Sequence, residues 1–350
     1  MLLCERKKIM KLTLQQIKDI TIGAAYVDLE DDNVVFHRFT KPQEELYEEV
    51  SRHQERNFYD RCHATAGIRM RFVTDSRSLS LSCVAKGYTS RNFFSADIFV
   101  NGVLADCVDN FSSDDFPQDY ADYEFSLGEF SKTAELGEGE KEVCIYFPWS
   151  VGLSVRKLEL DDGAYVKSAK REKILLAYGD SITQGYDALR PSNRYASLLA
   201  DMLGADEYNK GIGGEFFFPP LATLSDNICP DYITVAYGTN DWSGKEEADF
   251  KIRCREFYQN LKKLYPDSKI FALTPIWRKD YMEERAFGDF HNVEKDIREA
   301  VADIDGITVI RCFDFVPKSE EYFGDLRLHP NDSGFEHYAK ALYDEIKKYI

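Results

Sequence analysis

Ile174-Leu-Leu-Ala-Tyr-Gly-Asp-Ser-Ile-Thr-Gln-Gly185 decides how the second half of this chain folds: an apolar run breaks at a glycine and leads at once into a segment that reads as a helix. An apolar run of this length, closed by a turn residue, is the pattern of a buried strand. Ser181 then falls at the strand's carboxyl end, where open α/β sheets place reactive groups. An ordinary helix start, with Asp180 or Ser181 as N-cap, gives the same tripeptide.

Working outward, strands and helices alternate after residue 173, which predicts a parallel sheet with helices on both faces. Strands are expected near 174–178, 206–210, 232–237, 269–274 and 307–311, and helices over about 193–203, 247–264, 291–303 and 333–349. Three further segments follow this order: Asn209-Lys-Gly-Ile-Gly-Gly-Glu215 after the second strand, Tyr237-Gly-Thr-Asn-Asp241 ending the third, and Asp325-Leu-Arg-Leu-His-Pro330 near the C-terminus. Each has a plain account when taken singly. Asn240-Asp241 reads as a turn, His329 as a loop histidine, and Gly211-Ile-Gly-Gly214 as a phosphate cradle that lacks the spacing of a dinucleotide fingerprint or Walker loop. His291 and His337 lie in helix-like segments without a partner motif and read as surface or packing residues.

As an ordered set, the four blocks resemble the SGNH (GDSL-type) hydrolases, named for a serine, a glycine, an asparagine and a histidine carried in separate blocks. The resemblance covers about residues 172–350 and assigns those four to Ser181, Gly214, Asn240 and His329. It implies a flavodoxin-like, doubly wound α/β domain and a serine esterase. Ester hydrolysis needs an activated hydroxyl, a base, and donors aimed at the developing oxyanion. The resemblance makes Ser181 the nucleophile and His329 the base, with the backbone N–H groups of Ser181 and Gly214 and the Asn240 amide as donors. Glycine lets the main chain approach a substrate closely, and a neutral amide donates without opposing the oxyanion's charge. The family usually spaces its acid as Asp-x-x-His, and here that position is Leu326. Asp325, four residues before His329, is the expected orienting acid if a loop absorbs the extra residue. A Ser-His dyad with a backbone carbonyl in that role stays open.

Residues 20–163 read differently, as short alternating runs. Ile68-Arg-Met-Arg-Phe-Val73 and Leu79-Ser-Leu-Ser-Cys83 have the two-residue period of half-buried strands. Asn101-Gly102, between Ala96-Asp-Ile-Phe-Val100 and Val103-Leu-Ala-Asp-Cys107, predicts a type I′ hairpin. Lys141-Glu-Val-Cys-Ile-Tyr-Phe147 and Val155-Arg-Lys-Leu-Glu-Leu160 continue the pattern, and an all-β, jelly-roll-like sandwich is expected. Residues 111–140, rich in Asp, Glu, Ser and Gly, read as an exposed loop with at most one strand near 123–127. The expected domains are 12–163 for the sandwich, 164–173 for a polar linker and 174–350 for the hydrolase. A sandwich ahead of such a hydrolase is similar to the two-domain, family-2 carbohydrate esterases, which remove acetyl groups from plant polysaccharides. Trp242 and Trp277 are then expected to offer ring faces to sugar, with Phe216-Phe-Phe218 nearby; core packing is the rival account.

At 350 residues the chain accommodates two compact units. A formal charge of −17 argues against nucleic acid or an anionic membrane as partner and favours a small-molecule or oligosaccharide ester. The eight cysteines form no Cys-x-x-Cys and no cluster with histidine, so neither a metal nor a cofactor is expected. Residues 1–10 lack an apolar signal-like core, no run approaches membrane-spanning length, and a cytoplasmic protein with reduced thiols is expected. Met10 offers an alternative start, the residues before it reading as a tail. Subunit association is left open. The favoured activity is removal of acetyl groups from sugars. A lipase or thioesterase for longer acyl chains and an inactive glycan-binding protein are the alternatives.

Overall fold

The computed structural model describes residues 9–52 and 57–350, so the tail at 1–8 lies outside the described residues. Among these, the second half of the chain forms a five-stranded parallel sheet in the order Ala205–Asn209, Lys173–Gly179, Tyr232–Ala236, Lys269–Leu273, Ile307–Ile310. Strand Lys173–Gly179 is buried on both faces, which explains its unbroken apolar run. Leu175 and Ala177 pack towards helices Tyr195–Met202 and Asp332–Ile346. Leu176 and Tyr178 pack towards Glu247–Leu264 and His291–Val301. The order of strands reverses beside Lys173–Gly179, and a doubly wound sheet opens a crevice at that point.

The first half builds two antiparallel sheets, each of six strands among the described residues, on either side of one apolar core that includes Ile68, Phe72, Leu81, Ile98 and Leu153. The Asn101-Gly102 hairpin forms between Ser95–Val100 and Val103–Asp109, both turn residues at positive φ. Two expectations need correction. Helices Leu14–Ile20, Lys41–Arg52 and Phe58–Cys62 lie in a region read as all β. Residues 111–140 are not a simple solvated loop: Phe111, Phe116, Tyr120 and Phe125 surround Phe93 together with Trp149, and the strand is Gly128–Glu135, not 123–127. Aromatic burial outweighs the acidic composition there, since each ring removes a large apolar area from water.

The two halves are joined by charge as well as by packing. Glu207 is fully buried, and its carboxylate accepts from Arg69 of the antiparallel half at 2.9 Å and from Arg194 at 2.9 and 3.1 Å. Burial raises the Glu207 carboxyl, but the two guanidinium groups outweigh it and hold it down to about 2. Arg71 pairs with Asp206 at 2.9 Å, and Asp97 receives Ser192 at 2.7 Å. Between the halves, Lys167–Ser168 adds a short strand beside Arg69–Thr74, and Arg171 bonds Asp201 at 2.7 Å. No helix of the described residues is long and apolar enough to cross a membrane.

Candidate active site

Strand Lys173–Gly179 ends in a sharp handover. Asp180 is the N-cap of the single turn Ser181–Gln184, its carboxylate accepting the Ile182 N–H at 2.9 Å, so the plain capping account and the nucleophile account hold together. Ser181 Oγ lies 2.9 Å from His329 Nε2. His329 Nδ1 lies 2.8 Å from Asp325 Oδ2, while Asp325 Oδ1 accepts the backbone N–H groups of Arg327, Leu328 and His329 at 3.0, 2.7 and 3.0 Å. The extra residue between acid and base is absorbed where Leu326, exposed, takes φ +56. That left-handed backbone curls the loop so that Asp325 reaches the ring from four positions away.

A second carboxylate, which the sequence reading missed, stands by the same nitrogen. Asp187 Oδ2 is 3.4 Å from His329 Nδ1. Burial pulls the imidazole down, but Asp187 and Asp325 together outweigh it and raise it to about 9. Burial likewise raises Asp325, yet the bonds from His329 and the amide hydrogens hold it well below the usual carboxylate range. Tyr186 covers the imidazole, ring centroids 5.3 Å apart.

The loop 209–215 is tied to the serine turn: Asn209 donates to the Thr183 carbonyl at 2.7 Å, and the Gly213 N–H donates to Gln184 at 2.7 Å. A Cβ at Gly211 would stand 2.3 Å from the Gln184 nitrogen, so only glycine permits this approach. Gly214 has φ +81. Asn240, in the helix Thr239–Gly244 that follows the third strand, donates from its amide to the Glu215 carbonyl at 2.8 Å. Ser181, Asp325 and His329 are thus joined by direct contact, and Asn240 meets the loop of Gly214 through Glu215.

Beneath these loops lie three buried acids carried by the same sequence blocks. Burial pushes Asp180 up to about 7, and burial with the neighbouring Asp180 charge pushes Asp241 to about 7. Burial raises Glu215 to about 8, although the hydroxyls of Tyr47 and Tyr237 donate to it at 2.5 and 3.0 Å. Residues of the antiparallel half brace the loop from behind: Arg38 donates to the carbonyls of Asn209 and Gly211 at 3.0 Å each, and Arg61 donates to that of Gly213.

The expected sugar platform needs correction. Trp242 is buried, its indole N–H donating to the Gly288 carbonyl at 2.8 Å, with the guanidinium groups of Arg278 and Arg285 about its ring. Trp277 is buried against Phe323, and Phe216 and Phe217 are buried too. Neither tryptophan presents an open face; packing of large rings at the edge of the sheet prevails. His37, Glu44 and His63 lie close enough to share an ion, but Glu44 is engaged by His37 at 2.9 Å and by the Tyr26 hydroxyl at 2.5 Å. Asp187, Asp325 and His329 form the other such group among the described residues.

The GDSL-like lipase/acylhydrolase family model matches residues 177–337. No curated protein sequence matches the chain. Among solved structures, a salicylyl-acyltransferase, SsfX3, from a tetracycline biosynthetic pathway is similar at TM-score 0.75 and 19% identity, covering 94% of each chain. A Bacteroides ovatus protein described as GDSL-like lipase gives TM-score 0.75 and 20% identity over 97% of this chain and 98% of that one. A family two carbohydrate esterase from Cellvibrio japonicus gives 0.62 and 14% over 97% of each.

Proposed function

We propose that this chain, whose residues 177–337 match the GDSL-like lipase/acylhydrolase family model, is an SGNH-type serine esterase that removes acetyl groups from acetylated sugars or oligosaccharides. The observation that carries the reading is the 2.9 Å contact from Ser181 Oγ to His329 Nε2, continued by 2.8 Å from Nδ1 to Asp325. Ser181 Oγ attacks the ester carbonyl as its proton passes to His329 Nε2. The tetrahedral oxyanion is held by the N–H groups of Ser181 and Gly214 and by the Asn240 amide. The C–O bond to the sugar then breaks, His329 returns the proton to the leaving oxygen, and an acetyl-serine remains. Water, deprotonated by His329, releases acetate and restores Ser181. No step calls for a metal or cofactor.

The two facing antiparallel sheets support reading 12–163 as a jelly-roll-like sandwich, 164–173 as a linker and 174–350 as the hydrolase domain. The seven unpaired cysteines among the described residues support a reducing, cytoplasmic setting. The likeness in fold to a family two carbohydrate esterase supports the sugar ester. The likeness to an acyltransferase favours a second reading, in which an alcohol replaces water in the last step. Purified protein should release acetate from 4-nitrophenyl acetate and from acetylated xylo- or manno-oligosaccharides, and Ser181→Ala should abolish it; undiminished turnover in that variant overturns the proposal. Added sugar alcohols that divert acetate into new ester would establish transfer.

A further inference from the structure

We propose that Asp187 is a second positioning residue for His329, held by Arg91 from the antiparallel half, so that the imidazole Nδ1 is shared by two acids. The proposal rests on the esterase reading for its catalytic consequence, though not for its geometry. Asp187 Oδ2 lies 3.4 Å from Nδ1, beside Asp325 Oδ2 at 2.8 Å. The Asp187 side chain is 1% exposed, and Oδ2 has no hydrogen-bond partner of its own. Its other oxygen accepts from Arg91 Nε at 3.0 Å. A carboxylate taken out of water needs a countercharge and a donor for each oxygen. Arg91 supplies one, and the imidazole N–H, with the Tyr120 hydroxyl beside the same carboxylate, is placed to supply the other.

The backbone around Asp187 is shaped for this contact. Asp187 has φ +69, in the left-handed region that a non-glycine residue adopts only at a cost. Gly324, in the loop that carries His329, packs so closely that a Cβ there would stand 2.6 Å from Asp187 Cβ. Arg91 is fixed in turn between the rings of Tyr120 and Tyr186, 5.3 and 6.0 Å from their centroids. The charged or titratable groups facing His329 are therefore Asp187, Asp325, Asp180, Tyr186 and, behind Asp187, Arg91 and Tyr120.

When Ser181 passes its proton to Nε2, the ring becomes an imidazolium with one N–H directed between two carboxylates. Asp325 takes the shorter bond, and Asp187 stabilises the same charge from the side. Loss of either acid leaves the other as acceptor. Asp325→Asn is expected to lower kcat/KM by only about tenfold, whereas Asp187→Asn combined with Asp325→Asn falls by about 10⁴, the loss seen when a triad has no acid.

The decisive measurement is the NMR titration of His329 in a Ser181→Ala background, which requires no turnover. Asp187→Asn should lower the imidazole midpoint by about one unit, as expected for removal of one adjacent negative charge. Asp187→Glu should restore much of it. Because Asp187→Asn leaves Arg91 unpaired, the neutral pair Arg91→Met with Asp187→Asn guards against misfolding and should shift the midpoint in the same direction. In active enzyme the acid limb of the kcat/KM profile moves down with it. An unchanged midpoint in both variants overturns the proposal. A protein that cleaves no ester but shows the shift would refute the esterase reading and leave the Asp187 pairing standing.

Discussion

Ser181 and Asn240 stand just past the carboxyl ends of parallel strands, and His329 lies in the loop after the last one; Arg38, Arg61, Arg69 and Arg91 reach the same ground from the antiparallel half and bond carbonyls and carboxylates behind it. One half presents the groups proposed to react. The other holds their loops in register. The difference teaches that stability and turnover should fail separately when each half is altered.

Glu207→Gln should break the joint most severely. It leaves Arg69 and Arg194 buried against a neutral amide, and breaking a buried ion pair costs about 3–5 kcal/mol. Urea denaturation should read that loss, while molecules still folded at 25 °C keep their kcat. Asn240→Ala should do the reverse: kcat falls by about a hundredfold or more, as for one oxyanion donor, with stability lowered by only about 1 kcal/mol for the lost bond to Glu215.

pH should sharpen the contrast. Asp180 and Asp241 at about 7 and Glu215 at about 8 lie above their unfolded values, so the folded state binds more protons. Their contribution is fully present below about pH 4 and is lost as pH rises through 7–8, with each group adding a slope of at most about 1.4 kcal/mol per pH unit. Glu215→Gln should flatten that fall, measured as denaturation midpoints between pH 6 and 9. Activity should run the other way, kcat/KM rising towards about pH 9 as His329 becomes neutral. The smallest effect is expected at Leu326→Gly: relief of the left-handed backbone, offset by glycine's entropy, should change stability by less than about 1 kcal/mol and leave kcat unaltered.

The reacting half was legible because its signals are local. Strands buried on both faces yield continuous apolar runs, and the ends of all five were anticipated within a residue or two. The bracing half was less so. Helix Leu14–Ile20 carries a Thr13–Gln16 capping box that could have revealed it. Helix Lys41–Arg52 buries Gln43, Glu44 and Tyr47, and its apolar stripe is only Leu46, Tyr47 and Val50 in an otherwise largely polar segment. Asp187 and Arg91 are 96 positions apart, and Arg38 bonds main-chain oxygens, which have no residue identity to read. The tryptophans failed for another reason: composition tells that a ring is large, not which way it faces.

The arginine clamp on loop 209–215 bears on how this protein can be re-engineered. A shortened version beginning at residue 174 would discard Arg38, Arg61 and Tyr47 together, taking these donors from the carbonyls of Asn209, Gly211 and Gly213 and leaving the Glu215 carboxyl with Tyr237 alone of its two tyrosines. Chimeras that graft a foreign front end onto this hydrolase would have to import those side chains as well.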